Sequence, residues 1–498
     1  MNQDIIASVD LGSNSFRLQI CQNQNGHLHV IDSIKEMVRL AAGLDENKNL
    51  CKEARIRALE CLSRFGERLR NIPYEQVRVV ATNTFRVMRN VDVFLQQAED
   101  ALGFPIEVIA GREEARLIYT GVVHTVPFEG KKALVVDIGG GSTEFIIGSD
   151  LQPDITESLN LGCVSYSIKF FKDNKVTKSN FRDAVNTARS EIQRISSIYK
   201  EKSWDIAIGT SGTARCLRDI ASYLDNKHKD ISLDILSFLS NKLIRAGNAH
   251  KLNLEGLRLD RKDSFAGGLA VMTAIFEELG IEQMSVTDAA LRDGVFYDLI
   301  GRRLNGDMRD TTISSFQQRY HVDIAQAIRV ENLALQFLNA LSIQVIPQER
   351  KRWISLVSWA ARVHEIGLSI AHTAYHKHSA YILDQADMSG FSRTEQHILS
   401  ILVLSHRGNI KKIYEFIDNS NIIIAILSLR LSALLNRART DINLPDNTLL
   451  QLNIERKKFT LSIEKQWLID NPLTMHTLKL EADMWSKIGY TFIINTIK

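Results

Sequence analysis

The strongest constraint on this chain is that it repeats itself. "VDLGSNSFRLQI", starting at Val9, returns as "VDIGGGSTEFII", starting at Val136, with Val9/Val136, Asp10/Asp137, Gly12/Gly139, Ser15/Ser142 and Ile20/Ile147 in register. Each copy runs apolar into an aspartate, turns through small or hydroxyl residues and resumes as an apolar strand. A duplicated device of this kind predicts two related domains built on one plan. In the first copy, residues 5–9, 16–21 and 27–35 alternate as strands of a meander, with Asn25-Gly26 as a hairpin turn. Residues 53–70 place Ala58, Leu62, Phe65 and Leu69 on one helical face. A strand over 76–81, a helix over 92–101, a strand over 105–109 and a helix from Glu113 follow. In the second half, strands are expected over 133–137 and 204–208, the latter running into "GTSGT", Gly209 to Thr213. That order gives mixed sheets with helices on their faces.

From about Asn305 to Arg439 helical periodicity takes over and glycines become few. "LLQLNIERKKFTLSIEK" then alternates like a hairpin, "NPLTMHTLKLEADMWSKIG" reads as a helix and "YTFIINTI" as a last strand. With 498 residues, more than one core is required. The expected plan is two mixed α/β domains over 1–120 and 121–303, an all-α domain over 304–440 and a small α+β domain over 441–498.

A formal net charge of +3 is too small for the overall field to attract a polyanion, so any such ligand must be met by local basic surface. No nucleic-acid partner is expected. The five cysteines are scattered and form no C-x-x-C pair, which speaks against a disulfide framework or a structural zinc site and for reduced thiols in the cytoplasm. The N-terminus lacks a basic, apolar signal pattern, and no run reaches the roughly 18 apolar residues of a membrane span. The nearest, Ile422 to Leu429, stops at Arg430 and reads as a buried helix.

The repeated turn has a chemical logic. Amides flanked by small residues can approach an oxyanion closely, Ser hydroxyls add donors, and the aspartate can hold a divalent cation beside a phosphate, usually through water. One Asp-Gly turn most often just ends a strand. Two of them facing across a cleft, with "GTSGT" as a third loop, would clamp a phosphate chain. A P-loop is excluded because G-x-x-x-x-G-K-[ST] is absent. A dinucleotide fold fails too: G-x-G-x-x-G is missing, and Thr143 to Ile147 continues as a strand where that fold needs a helix.

These loops resemble those of the actin, hexokinase and chaperone ATPase superfamily. Within it, "DLGSNSFR", "TNTFR" at Thr82 to Arg86, "GREEARLIYTGV" at Gly111 to Val122 and "DIGGGSTE" together resemble the exopolyphosphatase and guanosine pentaphosphatase family, and the likeness extends over essentially the whole chain. The resemblance implies two duplicated actin-like, ribonuclease H-like domains and hydrolysis of a terminal phosphoanhydride. It assigns Glu114, the second glutamate of "GREEAR", to activation of the attacking water. Asp10, Asp137 and Glu144 are expected around Mg²⁺, or another divalent ion, or its water shell. Ser13, Asn14, Ser15, Gly139, Gly140, Gly141, Ser142, Thr143, Ser211, Gly212 and Thr213 are expected at phosphate, with Arg86 neutralising one and Arg17 a weaker candidate. The positive end of the helix and the neighbouring Arg112 and Arg116 are expected to keep the glutamates ionised. The resemblance also implies a homodimer.

The helical region holds His364, Glu365, His372, His376 and His378 close in sequence. It resembles an HD metal phosphohydrolase domain but departs at the defining pair, where His364 is followed by glutamate in place of aspartate. A channel in which His372, His376 and His378 hold a long anionic chain is the alternative, extended by Arg261-Lys262, Arg350 to Arg352 and Lys411-Lys412. Because the stretch from His372 to Leu383 looks more like the exopolyphosphatase branch, release of orthophosphate from inorganic polyphosphate is the first expectation. Hydrolysis of guanosine pentaphosphate (pppGpp) is the alternative, or a second activity. An actin-like nucleotide-binding assembly protein is the reading from a different class.

Overall fold

The computed structural model describes residues 4–24, 27–128, 130–224, 230–303, 306–341, 347–453 and 455–497. The expected Asn25-Gly26 turn lies outside them. The chain divides into two compact units, Met1–Asp307 and Met308–Lys498.

The first unit holds both copies of the repeat. Its first lobe contains β1 (Asp4–Leu11), β2 (Phe16–Gln24), β3 (His27–Glu36), α1 (Lys52–Leu69), β4 (Val77–Ala81), α2 (Asn83–Val87), α3 (Val91–Leu102), β5 (Glu107–Val108) and α4 (Gly111–Val123). The sheet order is β3-β2-β1-β4-β5. The second lobe contains β6 (Ala133–Ile138), β7 (Thr143–Gly148), β8 (Ile155–Leu159), α5 (Cys163–Phe170), α6 (Lys178–Lys202), β9 (Ile206–Thr210), α7 (Ser211–Leu224), β10 (Ile231–Ser232), α8 (Leu233–Ala246), α9 (Lys262–Leu279), β11 (Gln283–Val286) and α10 (Leu291–Arg303). Its order, β8-β7-β6-β9-β11-β10, reproduces the first sheet and adds one edge strand. In both lobes the repeat strand pairs antiparallel with the next strand and parallel with a strand that follows a helix. The register agrees as well: Asp10 lies opposite Arg17, and Asp137 opposite Glu144.

Burial explains the strand sequences. β6 and β7 are covered on both faces and read as near-continuous apolar runs. On α1, Ala54, Ala58, Leu62, Phe65 and Leu69 face the core of the first lobe, as the spacing predicts. The strand expected over 105–109 shortens to two residues, and the helix expected from Glu113 begins two residues earlier.

α10 returns from the second lobe to pack on α4. The two helices approach so closely that a Cβ added to Gly294 would sit 1.7 Å from the Leu117 carbonyl oxygen, so only glycine fits there. A buried ionic network locks the same contact. Asp298 on α10 accepts from Arg78 on β4 at 2.6 Å, from Arg116 on α4 at 2.5 Å and from Arg302 at 2.9 Å. Arg78 also reaches Glu107 at 3.0 Å, and Arg116 reaches Glu113 at 2.7 Å. The three guanidinium groups hold the Asp298 carboxyl far below the usual carboxylate range against its burial.

The second unit comprises α11 (Met308–Arg319), α12 (Ile324–Leu341), α13 (Pro347–Val363), α14 (Tyr375–Gln385), α15 (Arg393–Ser405) and α16 (Ser420–Leu435). They are followed by β12 (Leu449–Asn453), β13 (Lys458–Glu464), α17 (Lys465–Asp470), α18 (Pro472–Ser486) and β14 (Thr491–Ile497). The three strands form one sheet in the order β12-β13-β14, antiparallel then parallel. Residues of the helices and of this sheet share a single core. Among the described residues, Ser420–Ala438 is long and apolar enough to cross a membrane, but 78% of its most apolar window is buried within the fold. Arg430 within it is neutralised by Glu481 of α18.

Removing Asp298 would leave three guanidinium groups crowded in a dry site. Asp298→Ala is expected to lower unfolding free energy by about 3–5 kcal/mol, the usual range for breaking a buried ion pair from one side. Urea unfolding of wild type and variant checks it, and an unchanged midpoint would show that the network contributes nothing.

Candidate active site

Both repeat turns open onto one cleft of the first unit, lined by Asp10, Gly12 to Ser15, Glu114, Asp137 and Gly139 to Ser142, and by Ser211 and Gly212 of the third loop. The backbone directs each turn. The Ser13 and Asn14 carbonyls accept from the amides of Ala41 and Arg39 at 2.9 and 2.8 Å. The Gly139 and Gly140 carbonyls accept from Cys163 and Val164 at the start of α5, both at 2.9 Å. With these carbonyls engaged within the fold, the turns can present N–H groups to the cleft, the arrangement that suits an oxyanion. Gly141 stands against Asn83, whose Oδ1 would lie 2.2 Å from a Cβ built there, so a side chain at 141 would have to displace the Asn83 amide. Ser211 enters α7 with φ +73°, a left-handed backbone that costs a serine energy, while its hydroxyl donates to the Ile138 carbonyl at 2.9 Å.

Carboxylates converge here. Burial, reinforced by the Glu114 charge, pushes Asp10 up to about 6 and Asp137 up to about 7. Glu144 is raised well above the carboxylate range by burial first and then by Glu114 and Asp137. Glu144 stands behind the cleft lining, beside Asp137 on the neighbouring strand, where it accepts from the Ser158 hydroxyl at 2.8 Å. Among the described residues no three His, Cys, Asp or Glu side chains come close enough to cage a metal ion. The donor set nevertheless fits a hard dication whose coordination is completed by water and phosphate oxygens: buried oxygen ligands with an excess of negative charge.

Several expected residues take other positions. Arg86 is bonded to Glu114 at 2.7 Å and to the Ile109 carbonyl at 3.0 Å, so it fixes Glu114 and is not part of the cleft lining. The charge support expected from Arg116 reaches Glu113, whereas Glu114 takes its guanidinium partner from Arg86. Arg112 pairs with Glu157 at 2.5 Å, and Arg116 reaches one turn back to Glu113, because residues three apart share a helix face. Glu113 therefore belongs to the buried network and Glu114 to the cleft. Thr143 is fully buried, its hydroxyl donated to the Leu161 carbonyl, and Thr213 donates to the Ile138 carbonyl at 3.2 Å. Neither hydroxyl lines the cleft.

The structure adds residues that no motif announced. Arg215, Arg261 and Arg292 line the cleft together with Arg17 and Asn83. Arg215 is pushed down to about 10 by burial and by the nearby Arg17 and Arg292 charges. Arg17 is lowered for the same two reasons. An anion between them would relieve that crowding. Arg215 follows "GTSGT" by two residues, and Arg261 stood out only as half of a basic pair. Arg292, at the start of α10, carried no sequence signal.

In the second unit the imidazoles expected to act together have unlike surroundings: His372 is exposed, His376 buried and His378 half-buried. His364 and His406 are buried with ring centroids 5.1 Å apart, and Glu365 is ion-paired to Arg439 at 2.7 Å.

Comparison with known proteins agrees with this construction. Residues 19–303 match the model of the Ppx/GppA phosphatase family, and residues 308–482 match Ppx/GppA phosphatase, domain III. The chain is 39% identical over 496 residues to the guanosine-5'-triphosphate,3'-diphosphate pyrophosphatase of Pseudoalteromonas translucida, covering 99% of both chains. It is 39% identical over 499 residues to the protein of the same name in Vibrio vulnificus, again covering 99% of both. Among solved structures, an exopolyphosphatase from Cytophaga hutchinsonii superposes with a TM-score of 0.54 at 26% identity, covering 60% of this chain and 98% of that one. With two actin-like lobes around a phosphate-type cleft, a helical third domain and near-complete relatives, the chain belongs to the Ppx/GppA phosphatase family and is an enzyme that hydrolyses phosphoanhydride bonds.

Proposed function

We propose that the chain removes the terminal 5′-phosphate of guanosine 5′-triphosphate 3′-diphosphate. The observation that carries this reading is identity of 39% along 99% of both chains to relatives bearing that name. It reverses the order expected from sequence, where a histidine-containing stretch put polyphosphate first. The solved relative named for exopolyphosphatase activity matches at lower identity and over a smaller share of this chain.

In the proposed reaction the two repeat turns and the third loop hold the terminal phosphoryl group through backbone N–H groups and the hydroxyls of Ser13, Ser15, Ser142 and Ser211. Glu114, positioned by Arg86, takes a proton from water as the water oxygen bonds to the terminal phosphorus. The bond from that phosphorus to the bridging oxygen breaks, and orthophosphate and a nucleotide shortened by one phosphate leave. Arg17, Arg215, Arg261 and Arg292 supply positive charge along the rest of the anion, since catalysis of phosphoryl transfer is largely positioning and charge neutralisation. Asp10, Asp137 and Glu144 would hold Mg²⁺ directly or through water. When bound, the ion supplies charge neutralisation at the phosphate oxygens.

Glu114→Gln is expected to lower kcat by about 10² to 10⁴ with the fold intact, the range for losing a general base. Phosphate release measured side by side from pppGpp, long polyphosphate and ATP should give the highest kcat/KM for pppGpp. Faster turnover of polyphosphate would restore the other order, and near-normal hydrolysis by Glu114→Gln would remove that residue from the role.

The raised carboxylates also fix a pH signature. Asp10 and Asp137 have folded values, about 6 and 7, above their unfolded value near 3.8. Without metal, the folded state therefore binds more protons than the unfolded state between about pH 4 and 7, and its stability falls as pH rises through that window. A bound dication favours the ionised carboxylates and offsets this loss. Saturating Mg²⁺ should thus raise Tm more at pH 8 than at pH 5.5. Equal shifts at the two pH values would separate Mg²⁺ binding from these aspartates.

A further inference from the structure

The duplication reaches past the repeated turns. In each lobe the strand parallel to the repeat strand, β4 in the first and β9 in the second, runs almost directly into a helix, α2 or α7. In the second lobe that junction is the third loop, whose Ser211 and Gly212 line the cleft. In the first lobe it is Thr82-Asn83, and both residues line the same cleft. Each lobe therefore brings two loops to the cleft. The first lobe's strand-to-helix loop is the one whose side chains have no part in the hydrolysis proposed for Glu114.

Asn83 is half-buried and reaches across to the second lobe's phosphate turn. A Cβ built on Gly141 would lie 2.2 Å from its Oδ1 and 2.8 Å from its Cγ, so the amide fills the space that a side chain at 141 would take. One residue earlier the two repeat turns themselves meet: a Cβ on Gly140 would lie 2.9 Å from the Ser13 Cβ and 3.7 Å from the Asn14 amide nitrogen. The Asn83 amide thus stands beside the place where both turns close on a phosphate. Three residues along α2, on the same helix face, Arg86 holds Glu114 at 2.7 Å. One short helix carries both the guanidinium that fixes the base and an amide laid against the phosphate turn.

The fold leaves that amide unused. Among the described residues it has no hydrogen-bond partner, and α2 takes no side-chain cap. A carboxamide offers an N–H₂ donor and a carbonyl acceptor and stays neutral at every working pH. Arg86 is not free to meet a phosphate in its place, since its Nη1 is already shared between Glu114 and the Ile109 carbonyl.

We propose that Asn83 is a catalytic residue whose Nδ2 donates a hydrogen bond to a non-bridging oxygen of the terminal phosphoryl group as water attacks. Negative charge spreads over those oxygens in the transition state, and a donor already held in place by the fold stabilises it. This role rests on phosphoanhydride hydrolysis in the cleft and is the same whether the leaving group is a nucleotide or a shorter polyphosphate.

Steady-state hydrolysis of pppGpp and of long polyphosphate by the full chain, with orthovanadate as the inhibitor that imitates five-coordinate phosphorus, tests it in Asn83→Ala and in the isosteric Asn83→Asp. On whichever substrate the wild type cleaves faster, Asn83→Ala is expected to lower kcat by about tenfold or more with KM within about threefold, the pattern of an interaction made in the transition state. Vanadate inhibition should weaken in parallel. Asn83→Asp, which replaces the donor with an acceptor-only carboxylate, should lose more at pH 8 than Asn83→Ala. It should recover relative to wild type towards pH 5.5, where a protonated carboxyl donates again. A kcat within about twofold of wild type, a loss confined to KM, or a lowered kcat with a lowered Tm and unchanged vanadate inhibition would each overturn the role. Faster turnover of polyphosphate would overturn the substrate reading while leaving the test of Asn83 intact.

Discussion

The geometry of the hydrolytic cleft depends on how α4 is held. Glu114 lies in the first turn of that helix, so the direction in which its carboxylate points follows from the position of the helix axis. Two constraints fix the axis. Gly294 brings α10 against the α4 backbone without an intervening side chain, and Asp298, three guanidinium groups deep, ties α10 to α4 and β4. A hydrophobic contact alone tolerates sliding. A buried carboxylate accepting from Arg78, Arg116 and Arg302 does not, because any shift that lengthens one bond leaves a desolvated charge short of its partner. Neighbouring glutamates thereby acquire separate work: Glu113 faces the network and helps set the helix, whereas Glu114 faces the cleft with Arg86 bonded to it.

Duplication supplies the cleft with two turns of matching register but not with matching charge. Asp10 and Asp137 are equivalent, yet their strand partners are Arg17 in one lobe and Glu144 in the other. The second lobe's turn is therefore the more anionic and suits a cation, while the first lobe's turn, with Arg17 beside Arg215 and Arg292, suits the bulk of an anion. A symmetric pair would bind phosphate with no preferred direction. The inequality at positions 17 and 144 gives a phosphate chain distinct ends to meet.

Much of this was legible from residues alone, and the limits are physical. The repeat fixed both sheets because strand, turn and strand recur with the same side chains at the same spacing, and burial on both faces of β6 and β7 left little room for another reading. Which hydroxyls face the cleft was not legible. Thr143 sits beside Ser142 in the motif, but alternation along β7 turns it to the Leu161 carbonyl. Arg86 occupies a motif that suggests phosphate contact, and only the approach of α2 to the start of α4 shows that its bond is to Glu114. Arg215 and Arg292 reach the cleft through long-range packing of α7 and α10, which leaves no local pattern to read.

The cleft is poorly satisfied on its own. Asp10, Asp137 and Glu144 are raised by burial and by the Glu114 charge, while Arg17 and Arg215 are lowered by burial and like charge. Folding has brought both signs into one cavity, and among the described residues no ion pair joins Asp10, Asp137 or Glu144 to Arg17 or Arg215, while Glu114 pairs with Arg86. Had the two groups paired with each other, the cavity would be more stable and inert. Held apart, they are complementary to a dication and a polyanionic phosphate arriving together, since each removes the repulsion that the other charge set cannot. A cleft strained in this way favours the charged, ligand-bound state over the empty one, which links the cost of burying these groups to the chemistry they perform.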